Sequence, residues 1–173
     1  MNRRAFVLGP IMGAALACSG VASNPPRAST PAKTLYIVRH AEKLIIEGES
    51  DPDLSEAGHA RAAALPDALE GLPIDAIYSS PLRRTRQTVA PYAKLRGLQY
   101  ADYDPNDAAA FAAHLRSAPG LHILIAGHSN TIPSLLEALG APPSSIEDDQ
   151  YGDLFVLTLD GQAVHLELRH FGP

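Results

Sequence analysis

The feature that most constrains this chain is a short apolar run, residues 35–38, which is followed immediately by Arg39 and His40. Four consecutive apolar, strand-forming residues are typical of a short parallel strand that is buried on both faces. In open α/β sheets, ligands bind outside the carboxyl ends of the strands. A histidine at that place is a candidate nucleophile or base, and the adjacent guanidinium suits an anion. A plain polar exit from the strand is the alternative interpretation.

Strands and helices alternate along the rest of the chain. The predicted strands lie at 35–38, 75–78, 100–103 and 121–126, the predicted helices at 57–69, 83–95, 108–116 and 131–139, and a final strand pair at 152–159 and 164–169. Pro66 is expected to interrupt or kink the first helix. Asp160-Gly161 is a hairpin signal between the last two strands. The alternation predicts an α/β fold, a three-layer sandwich with a mostly parallel central sheet and helices on both faces.

Composition and charge exclude several kinds of protein. The chain has 173 residues, of which 46% are hydrophobic and 19% charged, and this fits one globular domain. A net charge of -5 argues against a basic surface for nucleic acid, so any anion site must be local. A lone cysteine, Cys18, excludes an intrachain disulfide framework and a multi-cysteine zinc site.

Residues 1–23 are predicted to be an export signal of bacterial type. Arg3 and Arg4 precede an apolar run that is too short to span a bilayer comfortably, and residues 15–17 form a small-x-small cleavage site. The two arginines fit either a twin-arginine signal or an ordinary secretory signal.

Cys18 directly follows this cleavage site, in a sequence that resembles a bacterial lipoprotein box. Lipidation of Cys18 and simple cleavage before it are both open. Residues 24–33 are then predicted to be a flexible linker, and residues 34–173 the functional domain. We therefore expect an exported protein, either periplasmic or attached to the envelope membrane through a lipid on Cys18.

Cationic side chains and imidazoles follow three of the predicted strands. They are Arg39 and His40 after the first strand, Arg83, Arg84 and Arg86 after the second, and His128 after residues 121–126. The carboxyl ends of parallel strands lie at one edge of a sheet, so these side chains are expected to converge there. Arginines bind phosphate oxygens bidentately, and the amides of a helix N-terminus add to the attraction. The pattern predicts a pocket for a tetrahedral dianion.

These segments carry a family resemblance. The matching stretches are residues 35–42, 53–58, 78–85, 87–88 and 126–129, in that order. With them the chain resembles the histidine phosphatase superfamily, which includes phosphoglycerate mutases and acid phosphatases, and it resembles a small exported bacterial member. One departure is Ala41, which stands where the family usually has glycine. The resemblance implies a phosphoglycerate mutase-like fold.

The resemblance also implies roles for individual residues. His40 would be the nucleophile that forms a phosphohistidine, Arg39 and Arg84 would hold phosphate oxygens, and His128 would donate to the phosphoryl group. A carbonyl that accepts from Nδ1 of His40 would direct Nε2 at phosphorus, and nearby arginines would keep the ring neutral. No metal and no cofactor are expected, because the arginines supply the positive charge. Glu42 and Ser129 are secondary candidates for substrate contact.

The proton donor for the leaving group is left open by the sequence. Asp104 is the first candidate and Asp102 the second, while Glu42 and no acid at all are further alternatives. If no acid is present, substrates with easy leaving groups such as phosphoramidates are expected.

The expected activity is hydrolysis of a small phosphorylated substrate, a phosphomonoester or a phosphoramidate, by an open-pocket phosphatase. Mutase activity and action as a phosphohistidine protein phosphatase are disfavoured. A non-catalytic phosphate-binding envelope protein is the alternative from another class. The substrate itself and the oligomeric state do not follow from the sequence.

Overall fold

The computed structural model describes residues 31–173. Its elements are β1 (Lys33–Arg39), α1 (Glu56–Ala68), β2 (Ala76–Ser79), α2 (Arg83–Arg96), β3 (Tyr100–Asp102), α3 (Ala108–Ser117), β4 (His122–Gly127), α4 (Thr131–Ala138), β5 (Asp153–Asp160) and β6 (Ala163–His170). The predicted export signal, Cys18 and most of the predicted linker lie outside the described residues. In the described part, no helix combines the length and apolarity that crossing a membrane requires.

The strands form one six-stranded sheet in the order β3-β2-β4-β1-β5-β6. The first four strands in this order are parallel to one another, whereas β5 is antiparallel to β1 and β6 is antiparallel to β5. The predicted α/β fold with a mostly parallel sheet is confirmed.

Helices cover both faces of the sheet, and side chains point alternately to the two faces along its buried central strands. In β1, Leu35 and Ile37 join a core with residues of α3 and α4, while Tyr36 and Val38 join a second core with residues of α1 and α2. The two cores make the three layers of the sandwich.

Helix α1 is not interrupted at its proline. The side chain of Ser55 accepts from the Gly58 amide and caps the first turn. The helix then continues through Pro66 to Ala68, so the expected interruption is wrong. Leu65 and Leu69 on either side of the proline are fully buried, and this packing holds the helical path.

The first described strand starts within the predicted linker. Lys33 is the first residue of β1, and its Nζ donates to the carbonyls of Leu115 (2.6 Å) and Ala118 (2.7 Å). Burial lowers the pKa of Lys33, and the nearby Asp75 carboxylate opposes that change. This lysine thus ties the start of β1 to the end of α3.

Candidate active site

The carboxyl ends of β1, β2 and β4 meet at one edge of the sheet, around a cavity of about 360 Å³. Its lining residues are Arg39, His40, Lys43, Leu82, Arg84, Pro105, Asn106, His128, Ser129, Asn130, Thr131 and Asp148. Four predicted site residues, Arg39, His40, Arg84 and His128, therefore share one cavity, together with the secondary candidate Ser129.

A larger cavity of about 600 Å³ lies at the opposite edge of the sheet. Its two cations are already engaged, because Lys33 donates to two carbonyls and Arg116 donates to the carbonyl of Leu139. This cavity is lined by neither a histidine nor a carboxylate. The chemistry is therefore concentrated in the smaller one.

His40 is buried, with 4% of its surface exposed, and its ring has a defined orientation. Its Nδ1 lies 2.8 Å from the carbonyl of Ala41, which can only accept, so Nδ1 carries the proton and Nε2 keeps its lone pair. Burial lowers the pKa of His40 to about 3, against the pull of the Ala41 carbonyl, and the charges of His128, Arg84 and Arg39 lower it further. At neutral pH the ring is thus the uncharged form that a nucleophile needs.

His128 lies beside His40, with the ring centroids 5.3 Å apart, and is held by a chain of hydroxyls. Its Nε2 is 2.8 Å from Ser80 Oγ, and Ser80 Oγ is 2.8 Å from Thr85 Oγ1. The single hydroxyl proton of Thr85 goes to a carbonyl, that of Leu82 (2.7 Å) or Ser80 (3.0 Å).

This chain of hydroxyls fixes the tautomer of His128. Because the proton of Thr85 is used on a carbonyl, Thr85 accepts from Ser80, and Ser80 in turn accepts from Nε2–H of His128. Burial, with the charges of Arg84 and Arg39, lowers the pKa of His128 to about 4, although Asp51 opposes this. Neutral His128 therefore offers its Nδ1 lone pair to a ligand.

Arg39 is anchored to the segment that precedes β5. Its Nη1 donates to the carbonyls of Glu147 (2.7 Å) and Gln150 (2.9 Å), and its guanidinium lies 4.2 Å from the ring centroid of Tyr151. Its Nε is buried and has no hydrogen-bond partner among the described residues.

Arg84 is anchored on the other side of the cavity. Its Nη1 lies 3.3 Å from the carbonyl oxygen of Ser50 and 3.5 Å from Asp51 Oδ1. Its Nε is also buried without a partner in the described part of the chain. Each arginine is thus held in place while one of its donors stays unsatisfied, a costly arrangement for a buried donor unless a ligand pairs with it.

The three carboxylates considered as proton donors lie elsewhere. Glu42 forms a bidentate pair with Arg61 (Nη2–Oε1 2.7 Å). Burial acts to raise the pKa of Glu42, but the hydrogen bonds and charge of Arg61 outweigh it and the pKa is lowered. Asp102 pairs with Arg86 at 2.5 Å.

Asp104 accepts from the backbone amide of Asn106 at 2.9 Å, as in a capped turn. Asp104 and Asp102 line a neighbouring cavity of about 480 Å³ beside Tyr78 and Phe111, and neither lines the cavity of His40. The structure therefore does not bring the first two acid candidates to His40.

Lys43, Asn106 and Asp148 line the cavity and were not expected there. Lys43 could have been found from the sequence, because it lies three residues after His40. Asp148 could not, because its position depends on β5 running antiparallel to β1, which brings the segment before β5 to the same edge as the carboxyl end of β1.

Ala41 fits the position where the resembled family usually has glycine. No non-glycine residue in the described range has a positive φ, so this position does not require glycine conformationally. The Ala41 amide donates to Thr88 Oγ1 at 2.9 Å, and the side chain packs with Leu54 and Ala62.

The arrangement suits a tetrahedral anion. A neutral imidazole with a free Nε2, a second imidazole and two guanidiniums border one cavity, and Lys43 adds a fifth nitrogen centre. Within residues 31–173, no group of three or more His, Cys, Asp or Glu side chains is placed to hold a metal ion.

Comparison with known proteins finds similarity in sequence and in fold. The sequence model of the histidine phosphatase superfamily (branch 1) matches residues 35–106, a range that contains Arg39, His40 and Arg84. A solved structure, the candidate phosphohistidine phosphatase SixA of Nakamurella multipartitia, is 26% identical and superposes with a TM-score of 0.61, covering 83% of this chain and 98% of that one. These matches support the histidine phosphatase superfamily.

Other proteins are similar to this chain over shorter stretches or in fold alone. Phosphoserine phosphatase 1 of Hydrogenobacter thermophilus is 40% identical over 75 residues, which are 40% of this chain and 36% of that protein. The chain spans about a third of the length of the curated relatives it matches. A mycobacterial glucosyl-3-phosphoglycerate phosphatase shares the fold, with a TM-score of 0.62 at 18% identity, over 82% of this chain and 99% of that one.

Proposed function

We propose that this chain is a phosphatase that hydrolyses phosphomonoesters or phosphoramidates through a phosphohistidine on His40. The observation that carries the proposal is the buried, uncharged His40, whose Nε2 is free in a cavity that it shares with Arg39, Arg84 and His128. The matches point to the histidine phosphatase superfamily, and a curated relative and a solved structure among them are named as phosphatases, which supports a hydrolase.

In the first step, the Nε2 lone pair of His40 attacks phosphorus and the bond to the leaving group breaks. Arg39 and Arg84 stabilise the charge on the phosphoryl oxygens, and their unsatisfied Nε donors are available for this role. In the second step, water attacks the phosphohistidine and releases phosphate, so that one difficult displacement is divided into two easier ones.

His128 contributes in its protonated form in this scheme. Its Nε2–H is used on Ser80, so it donates to a phosphoryl oxygen only when Nδ1 gains a proton. A phosphate dianion in the cavity raises the pKa of His128, because opposite charge favours the imidazolium. Substrate binding thereby turns His128 into a hydrogen-bond donor to the phosphoryl group.

The test is hydrolysis of p-nitrophenyl phosphate by the domain in the presence of a chelator. We expect turnover without added metal, because the arginines supply the positive charge, and complete loss in His40→Ala. The matched control is His59→Ala, since His59 is exposed and does not line the cavity. Turnover that survives in His40→Ala contradicts the proposal.

A substrate panel separates the two substrate classes. Phosphoserine and phosphoramidate are compared, because a curated relative is named a phosphoserine phosphatase and solved structures at 25% and 26% identity are named as candidate phosphohistidine phosphatases. Phosphate binding with no turnover of any monoester or phosphoramidate would favour the non-catalytic envelope protein instead.

We also propose that the protein acts outside the cytoplasm, as residues 1–23 predict. Fractionation of cells that express the full chain should recover it from the envelope or the periplasm. Cys18→Ala should release it from the membrane fraction if Cys18 is lipidated, and wild-type protein found only in the cytoplasm would overturn this proposal.

A further inference from the structure

Asp148 is the single carboxylate among the described residues that line the cavity of His40. It lies in the turn between α4 and β5 and is exposed. Its carboxylate makes no hydrogen bond or ion pair with any side chain or backbone group of residues 31–173. Arg39, Lys43 and Arg84 border the same cavity and could each pair with a carboxylate. A carboxylate that stays unpaired beside three cations is unusual.

The turn that carries Asp148 is held against the site by hydrogen bonds. Arg39 Nη1 donates to the carbonyls of Glu147 and Gln150, the residues on either side of the Asp148-Asp149 pair. The Gln150 amide donates to the Glu147 carbonyl at 3.0 Å, which closes the turn. Asp148 is therefore positioned by the same arginine that borders the nucleophile.

Three carboxylates near this edge but outside the turn already have partners. Glu42 pairs with Arg61, Asp51 accepts from the Arg83 amide and lies 3.5 Å from Arg84, and Asp102 pairs with Arg86. Hydrolysis of an ordinary ester needs an acid at the leaving oxygen.

We propose that Asp148 is the general acid that protonates the leaving group, a role that rests on the proposed phosphatase function. The His40–phosphorus bond forms as the phosphorus–oxygen bond breaks. The electron pair of the broken bond leaves on the oxygen, which takes the carboxyl proton of Asp148. The resulting carboxylate then accepts a proton from the water that attacks the phosphohistidine, and the acid is restored when phosphate is released.

The groups that line the cavity with Asp148 are the cations Arg39, Lys43 and Arg84 and the neutral imidazoles of His40 and His128. A phosphorylated substrate held by these cations lies in the same cavity as the Asp148 carboxyl group.

The test compares leaving groups in Asp148→Asn, with Asp149→Asn as the matched control because Asp149 is an exposed neighbour that does not line the cavity. For glycerol phosphate, whose alkoxide needs a proton, we expect kcat/KM to fall by about 100-fold or more. For p-nitrophenyl phosphate, whose phenolate leaves unaided, we expect a change of less than about threefold, since no protonation contributes. Asp148→Glu should restore part of the activity on glycerol phosphate.

Several outcomes would overturn this assignment while the proposed function stands. They are an equal loss on both esters in Asp148→Asn, no loss on glycerol phosphate, or a larger leaving-group effect in Asp104→Asn than in Asp148→Asn. Thermal unfolding of each variant shows that the comparison is made between folded proteins. Survival of p-nitrophenyl phosphate turnover in His40→Ala contradicts the function itself and is a separate result.

Discussion

At the scale of single residues, the chemistry depends on which nitrogen of each imidazole is free. The Ala41 carbonyl leaves Nε2 of His40 unpaired, whereas the Ser80 hydroxyl leaves Nδ1 of His128 unpaired. The two rings therefore present different atoms to one cavity, and only His40 has its Nε2 available. The sequence predicted both histidines but not this difference, because the partner of His128 is 48 residues away in the chain.

Ser80→Ala tests the role of the hydroxyl chain. The change leaves the buried Nε2–H of His128 without a partner, which costs about 1–3 kcal/mol of stability. With the tautomer no longer fixed, we expect kcat to fall about tenfold, equivalent to about 1.4 kcal/mol of barrier. Steady-state kinetics and urea unfolding measure the two effects.

Ser79→Ala is the matched control for this change. Ser79 is equally buried and adjacent, but its hydroxyl donates to the Ser80 carbonyl and does not touch His128. A loss of kcat in Ser79→Ala as large as that in Ser80→Ala would show that the effect comes from packing and not from the histidine.

At the scale of elements, most of the fold could be predicted because its signals are local. The apolar run in β4, the capping residues Ser55 and Asp107, and the hairpin at Asp160-Gly161 all depend on neighbours in sequence. The pairing of β5 with β1 depends on contacts more than 100 residues apart, and local pattern does not reveal it. The four cavity residues predicted from strand ends therefore came together, whereas Asp148 was missed.

Gly58→Ala tests the packing of α1 on the segment after β1. An added Cβ would lie 2.0 Å from the Glu42 carbonyl oxygen, so the helix or that segment must shift. We expect a loss of about 1–3 kcal/mol, as for other overpacked sites. Gly71→Ala is the control, because nothing lies within 4 Å of its Cβ and the only cost is that of its φ of +73°, about 1 kcal/mol. A smaller loss for Gly58→Ala than for Gly71→Ala in urea unfolding would contradict this account.

Arg39→Lys tests whether this arginine holds the turn before β5. A lysine has no planar group, so it cannot donate to the Glu147 and Gln150 carbonyls and at the same time stack on Tyr151. We expect the Gln150 amide to exchange its hydrogen about tenfold faster, equivalent to about 1.4 kcal/mol of lost protection. Arg84→Lys makes the same chemical change across the cavity and should leave that exchange rate unaltered. Equal rates in the two variants would mean that the turn is held by other contacts.

At the scale of the whole molecule, the two site histidines make stability depend on pH. The pKa of His40 falls from 6.5 to about 3 on folding and that of His128 from 6.5 to about 4. Below pH 6.5 the unfolded chain takes up protons that the folded protein does not, so the free energy of unfolding falls as pH falls through this window.

Each of the two histidines should remove about 1.5 kcal/mol of stability between pH 6.5 and pH 5. Urea unfolding at the two pH values measures the change. His128→Gln should reduce the loss of unfolding free energy between pH 6.5 and pH 5 by about 1.5 kcal/mol, the contribution of one histidine. His59→Gln, at an exposed site, should leave that loss unaltered. An unchanged loss in His128→Gln would mean that His128 is not held uncharged by the fold.

The reversed direction of β5 has a consequence for how this scaffold could acquire new specificities. The four residues Arg39, His40, Arg84 and His128 follow parallel strands, but the turn that carries Asp148 precedes a strand of opposite direction, which starts at this same edge of the sheet. Arg39 contacts that connection through the ring of Tyr151 and through the carbonyls of Glu147 and Gln150, which any amino acid supplies. The side chain of Asp148 can thus be exchanged for one that suits another alcohol or amine, while His40, Arg39 and Arg84 keep their places.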